Sequence, residues 1–235
     1  MLRWRQLGRW LMGLVALATL AWGGMWALDH GSETAVLPLE TVRFDGDLER
    51  LSEAELREAV SAHLQGGLLG VDVAALRRGV EALPWVDTAT VRRVWPDTVR
   101  ITIREQQPVA RWGEVALMNA KARVFQPRTL PDGLPSLTGP PGSAARVLEQ
   151  YQALRLALTP LGLEPIGLDL DERRAWTVEL ADGGLIRLGR EDTQSRIERL
   201  IRAWPRITPA QDQRIAVIDL RYPNGFSLRW TQDED

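Results

Sequence analysis

The feature that most constrains this chain is an uncharged apolar stretch near its N-terminus. Residues 11–28 contain no charged side chain, and the segment before them carries Arg3, Arg5 and Arg9 without a single acid. In a helix these residues extend about 27 Å, which is close to the thickness of the hydrocarbon core of a bilayer. The stretch therefore predicts a helix that spans a membrane once.

Charge on the two sides of this stretch predicts its orientation. Arginines precede it, whereas the next charged residues are the acids Asp29 and Glu33. By the positive-inside rule the N-terminus lies in the cytoplasm, so the rest of the chain lies on the periplasmic side of an inner membrane. We expect three segments here: a cytoplasmic N-terminus over 1–10, the membrane helix over 11–28, and a tether over 29–37.

The alternative for the same stretch is a cleaved signal peptide, with Ala16, Leu17 and Ala18 as a small-x-small cleavage site. Cleavage there would leave a mature N-terminus that is still strongly apolar. A signal peptide also has no need of a further helical turn that ends in two tryptophans. The uncleaved anchor is the favoured interpretation.

Composition argues against several functional classes. The formal net charge is −2, cysteine is absent, and the only histidines are His30 and His63. A balanced charge offers no field that would hold nucleic acid, and a chain without cysteine forms no disulfide and no thiolate zinc site. No phosphate-binding glycine loop or nucleophile-base pattern is present, so we expect no catalytic, cofactor or metal site.

A first domain is predicted over residues 38–107. A short strand leads into a helix that begins at a capping box formed by Ser52 and Glu55, and a second helix begins at Asp72. Two strands of alternating character follow, and we expect Trp85 and Trp95 to pack the helices onto them. The order is β-α-α-β-β, with two helices on one face of a three-stranded sheet.

A second domain is predicted over residues 108–230. Short alternating segments read as sequential hairpins, interrupted by one helix capped by Ser143 and another over about 193–204. These patterns predict an α+β domain with an extended antiparallel sheet and two helices. Residues 231–235 are acidic and are expected to form a disordered tail.

Several runs carry a resemblance to a known family. They are LPWV at 83–86, VRRVWPDT at 91–98, EQQPVA at 105–110 and DLRYPNGF at 219–226. Together with the basic N-terminus and the single anchor, they resemble the FtsQ/DivIB family of bacterial cell division proteins, and the resemblance covers essentially the whole chain. It implies a POTRA domain followed by a β domain, and a scaffold of the divisome at the septum. Such a scaffold binds FtsB- and FtsL-type division proteins and other divisome components in the periplasm, links early to late division proteins and helps to control septal peptidoglycan synthesis.

The last strand is the candidate docking site. An unpaired edge strand offers backbone groups to a partner strand, and the segment 225–230 has one charge and no proline to blunt such an edge. The resemblance implies that Tyr222 takes the place of an aromatic contact with the FtsB-type partner and Arg173 that of a basic contact. Pro223-Asn224 departs from the polar pair found at this turn in well-known members. The predicted partner-binding residues are Arg173, Tyr222, Asn224, Gly225, Phe226, Leu228 and Trp230.

Two rival functions remain at this point. One is a POTRA-containing, membrane-anchored transport or assembly factor. The other is a membrane-tethered hydrolase, which activity of the purified soluble part on cell-wall fragments would reveal.

Overall fold

The computed structural model describes residues 37–207 and 214–231, with isolated positions at 19, 22 and 25. Among these residues, no helix has both the length and the apolar character needed to cross a bilayer. The N-terminal segment 1–10 and nearly all of the predicted membrane helix and tether lie outside the described part of the chain, as does the tail after Thr231. The chain divides into two compact units, and the division falls between Glu105 and Gln106.

The first unit is a three-stranded sheet with helices on one side. Its elements are β1 (Thr41–Asp45), α1 (Glu53–Ser61), the one-turn α2 (Gly67–Gly70), α3 (Val73–Glu81), β2 (Val86–Val94) and β3 (Thr98–Glu105). β3 lies in the middle, parallel to β1 and antiparallel to β2. Fully buried apolar side chains of α1, α3 and β3 form the core: Leu56, Leu76, Val80, Val99 and Ile101. The predicted β-α-α-β-β order is confirmed, with one additional short helix.

Local signals place the two longer helices where the sequence predicts them. The Ser52 hydroxyl accepts from the backbone N–H of Glu55 at 3.2 Å, and the Glu55 carboxylate accepts from the N–H of Ser52 at 3.0 Å. Asp72 accepts from the N–H groups of Ala74 and Ala75, and these bonds hold the pKa of its carboxyl below the ordinary value. Each helix start is thus satisfied within its own first turn.

The prediction for Trp95 is wrong. Trp85 does pack on the core, with the Arg50 guanidinium 4.8 Å from its ring centroid, but Trp95 is 62% exposed. β2 ends at Val94, which pairs with Thr98, so Trp95 belongs to the turn. The strand alternation that would bury the Trp95 side chain ends one residue before it, at Val94.

The second unit is built on a nine-stranded sheet. The strands are β4 (Pro108–Trp112), β5 (Ala116–Asn119), β6 (Val124–Phe125), β7 (Ser136–Thr138), β8 (Pro165–Leu170), β9 (Trp176–Leu180), β10 (Leu185–Gly189), β11 (Ile215–Asp219) and β12 (Ser227–Trp230). The helices are α4 (Ala144–Leu158) and α5 (Thr193–Ala203), each continued by one 3₁₀ turn. The strand order is β12-β11-β10-β9-β8-β7-β4-β5-β6.

The predicted antiparallel sheet is wrong, because this sheet is mixed. β7 is parallel to both β4 and β8, and β10 is parallel to β11. The reason lies in the helices, which the sequence pattern showed only as interruptions. α4 connects β7 to β8 and α5 connects β10 to β11. A helical connection carries the chain back along the sheet, so the next strand begins at the same end of the sheet as the previous strand and runs parallel to it.

Both helices cover one face of this sheet. Buried side chains from α4, α5 and seven of the strands share one core, with Leu158, Ile186, Leu188 and Leu200 fully inaccessible. Tyr151 of α4 donates its hydroxyl to the Pro165 carbonyl at 2.9 Å, and burial raises its pKa. Ser143 stands at the predicted N-cap position of α4, but its hydroxyl donates to the Pro140 carbonyl and does not cap the helix.

Candidate partner-docking edge

β12 lies at one edge of the nine-stranded sheet. It pairs antiparallel with β11, where Asp219 faces Ser227 and Ile218 faces Leu228, and a bulge interrupts the register before Val217. In the described chain no strand pairs with its outer side. The backbone groups on that side are therefore available to a partner strand.

Side chains of β12 alternate between the core and the open face of the sheet. Leu228 and Trp230 are half-buried and pack on the core, as does Phe226 just before the strand. Ser227 and Arg229 are exposed on the opposite face. Phe226, Leu228 and Trp230, which the sequence predicts to bind the partner, therefore also pack against their own domain, and the alternation exposes two further side chains that the sequence analysis did not select.

The loop that leads into β12 carries the exposed aromatic residue. Tyr222 is 55% exposed, and Asn224 beside it is exposed as well. Gly225 is half-buried, yet a methyl group added to it would meet no atom within 4 Å. The loop thus has room at its surface.

Two arginines hold this loop, and the sequence analysis selected neither. Arg221 binds the buried carboxylate of Asp219 through both Nε and Nη2. Arg199, on α5, donates from Nη1 to the carbonyl of Tyr222 at 2.8 Å and to that of Gly225 at 3.0 Å. The i,i+2 spacing of Asp219 and Arg221 is a local signal that could have been found, whereas no local pattern links Arg199 to a loop 23 residues away.

Arg173 lies in the turn between β8 and β9. It is exposed, and the turn is closed by Asp171, whose carboxylate accepts from the N–H of Ala175 at 2.6 Å. Because β8 and β11 run in the same direction, this turn and the loop around Tyr222 lie at the same end of the sheet. Three strand spacings separate them, which is about 14 Å. The fold therefore brings the two resemblance-derived residues to one end of the domain.

A cavity lies at the other end of this sheet. Its volume is about 930 Å³, and its walls include Arg111, Tyr151, Leu156, Ile166 and Glu179. It opens where β7 and β8 begin, whereas Tyr222 follows the end of β11. The cavity is therefore not part of the docking edge. Among the described residues, no three acidic or histidine side chains cluster closely enough to hold a metal ion.

Comparison with known proteins identifies the family. The cell division protein FtsQ of Allochromatium vinosum is 36% identical over 229 residues, which cover 97% of this chain and 91% of that protein. The chain belongs to the FtsQ family of cell division proteins. The FtsQ proteins of Burkholderia pseudomallei and Neisseria meningitidis are 36% and 31% identical and cover 93% and 97% of the chain, with 88% and 95% of their own lengths matched.

Family models match each unit separately. "POTRA domain, FtsQ-type" matches residues 37–106, and "Cell division protein FtsQ/DivIB, C-terminal" matches residues 110–221. The second match ends one residue before Tyr222. The candidate docking loop and β12 thus lie beyond the part of the second unit that this family model matches.

Proposed function

We propose that this FtsQ-family chain is a divisome scaffold whose C-terminal unit receives an FtsB-type partner through β12. The observation that carries the proposal is the position of β12, an edge strand that follows directly on the exposed loop of Tyr222. The protein is anchored in the inner membrane by residues 11–28 and acts in the periplasm at the septum. It binds FtsB together with FtsL and so helps to control septal peptidoglycan synthesis, and its POTRA unit contacts other division components.

Docking proceeds by strand addition. A partner strand forms main-chain hydrogen bonds with the outer side of β12, which supply affinity that does not depend on sequence. Specificity comes from side chains near that edge. Tyr222 supplies a large amphipathic surface, and Ser227 and Arg229 face the side chains of the added strand. Arg173, at the same end of the sheet, pairs with acids of the partner.

A scaffold of this kind requires no catalytic group. It acts by binding its partners, and a large sheet with fixed strands offers a rigid surface for that binding. The strongest support is therefore geometric, and the test is whether the partner lies against β12 in the cell.

Site-specific photo-crosslinking in dividing cells tests the proposal. The probe replaces Tyr222, Ser227 or Arg229 singly in the full chain, because these side chains are exposed and their replacement leaves the core intact. The matched control is Val124, an exposed residue of β6 at the opposite edge of the same sheet. Each variant must first restore septation to cells depleted of the native protein.

We expect adducts to the FtsB-type protein from the three β12-side positions and none from Val124. Adducts from Val124 with silence at Tyr222, Ser227 and Arg229 would move the docking site to the other edge. Normal septation in cells that lack the protein altogether would refute the scaffold role itself.

A further inference from the structure

One cation joins the two ends of the docking loop. The loop is the four-residue segment 222–225, and Nη1 of Arg199 donates to the carbonyl of its first residue, Tyr222, at 2.8 Å and to that of its last, Gly225, at 3.0 Å. Both bonds come from a charged donor to backbone oxygens, and such bonds are stronger than neutral ones. A single nitrogen therefore sets the distance between the two ends of the loop.

Arg199 itself is held in place by its helix. Its neighbour Leu200 is fully buried, and Ile197 two residues before it is 3% exposed, so α5 is fixed on the sheet on both sides of Arg199. The helix starts just after β10, and Leu220, at the end of β11, donates its N–H to the carbonyl of Arg187 in β10. The cation thus projects from a rigid element onto a loop that is otherwise irregular.

The loop has little other support. Pairing of β11 with β12 ends at Asp219 and Ser227, which leaves the residues between Arg221 and Ser227 outside the ladder. The Asp219–Arg221 ion pair fixes only the entrance to this stretch. An exposed loop without ladder bonds samples many conformations, and ordering it on binding costs backbone entropy.

We propose that Arg199 is a positioning residue, which holds the loop 222–225 in the conformation that a strand-forming segment of the FtsB-type partner binds. This inference rests on the proposed docking function of β12. With Arg199 in place, the ordering of the loop precedes binding, and the partner meets Tyr222 and the start of β12 in one arrangement. Without it, the apparent affinity equals the intrinsic affinity multiplied by the fraction of molecules whose loop is in the competent conformation.

The substitution series separates positioning from stability. Arg199→Met removes both bonds and retains an apolar stem of similar length. Arg199→Lys restores a donor without the planar guanidinium, so partial rescue is expected. Arg202→Met is the matched control, since Arg202 is on the same helix, is 70% exposed and only pairs with Glu198 at 3.9 Å.

Two measurements are made on the full chain in nanodiscs. The first is hydrogen exchange of the amides of residues 222 and 224–228 in the free protein. The second is the association kinetics of the periplasmic part of the FtsB-type partner, with thermal unfolding as the reference for stability. For Arg199→Met we expect loop exchange about tenfold faster and an association rate about tenfold slower, with Arg199→Lys between it and the native chain. Arg202→Met is expected to match the native chain in both, and all variants to unfold at similar temperatures.

The outcomes distinguish the two proposals. Unchanged loop exchange in Arg199→Met refutes the positioning role whatever the partner does. Faster exchange with unchanged partner binding also refutes it, provided that the native chain binds. If the native chain does not bind the partner probe, the docking function fails and the inference fails with it. A loss of binding matched by a large fall in Tm would reduce Arg199 to a residue that only stabilises the fold.

Discussion

Arg221 forms a two-point ion pair with Asp219, with Nε 2.9 Å from Oδ1 and Nη2 2.6 Å from Oδ2. The carboxylate is buried while much of the guanidinium remains exposed. Asp219 is the last residue of β11, so the pair connects that strand to the entrance of the docking loop. The hydrogen bonds from the Arg221 side chain, with a further one from its backbone N–H, hold the pKa of Asp219 below its ordinary value of 3.8.

The Asp219–Arg221 ion pair predicts that the stability of the fold depends on pH. Because the pKa of Asp219 is depressed in the folded state, the contribution of the ion pair to stability is complete above about pH 5. It disappears as the pH falls through the folded-state pKa. We expect Asp219→Asn to lower Tm by about 2–4 °C at pH 7. The difference from the native chain should shrink as the pH falls below 4.

Thermal unfolding between pH 7 and pH 3 measures this effect. Glu172→Gln is the control, since Glu172 is an exposed carboxylate in the same domain. A difference between Asp219→Asn and the native chain that stays constant over this range would contradict the assignment.

Tyr222 predicts a separation of binding from stability. Its side chain is largely exposed, so Tyr222→Ala should leave Tm unchanged. Because Tyr222 is an aromatic anchor at the proposed interface, its replacement by alanine should lower the affinity for the FtsB-type partner at least about tenfold. Val115→Ala, which removes another exposed apolar side chain in the turn between the distant strands β4 and β5, serves as the control in calorimetric titration. Equal affinities of the two variants would exclude Tyr222 from the interface.

Arg173 predicts an effect on the association rate that depends on salt. A charge beside an interface steers the encounter more than it holds the complex, and salt screens it. We expect Arg173→Ala to slow association severalfold at about 0.05 M salt and much less at about 0.5 M. Arg174→Ala is the neighbouring control, and stopped-flow measurements on both variants decide the case. The contrary result is an equal effect of both variants at every salt concentration.

Ser52 predicts a local loss of stability in the first unit. Ser52→Ala removes the acceptor for the N–H of Glu55 and should cost about 1 kcal/mol of unfolding free energy. Ser61→Ala is the control on the same helix, since the Ser61 hydroxyl only donates to the carbonyl of Glu58 near the C-terminus. Native-state hydrogen exchange of the α1 amides measures both. Comparable losses in the two variants would show that the capping box contributes nothing specific.

Much of this fold could be predicted from neighbouring residues. The capping box of Ser52 and Glu55 and the cap at Asp72 involve groups within four positions of each other, so the sequence contains the whole signal. The strand alternation of residues 99–103 likewise identifies a half-buried strand, which the structure shows as β3. The same reasoning failed one residue beyond a strand end, at Trp95, because alternation does not reveal where a ladder stops.

Only part of the candidate site could be predicted from the sequence. Tyr222 and Arg173 were selected by resemblance, and the fold places both at one end of the sheet. Whether they bind a partner stays a prediction. Arg199 carried no signal, because its partners are backbone carbonyls, which every residue possesses, at a distance that only folding makes short.

The starts of α1 and α3, the alternation of the strands and the family could be predicted from the amino-acid sequence alone, because each depends on near neighbours or on short runs of residues. Folding alone establishes that the second sheet is mixed, that β12 stands at its edge, and that Arg199 reaches the docking loop. Strand order depends on how α4 and α5 pack across the sheet, and that packing is a sum of many weak non-local contacts between residues far apart in the chain.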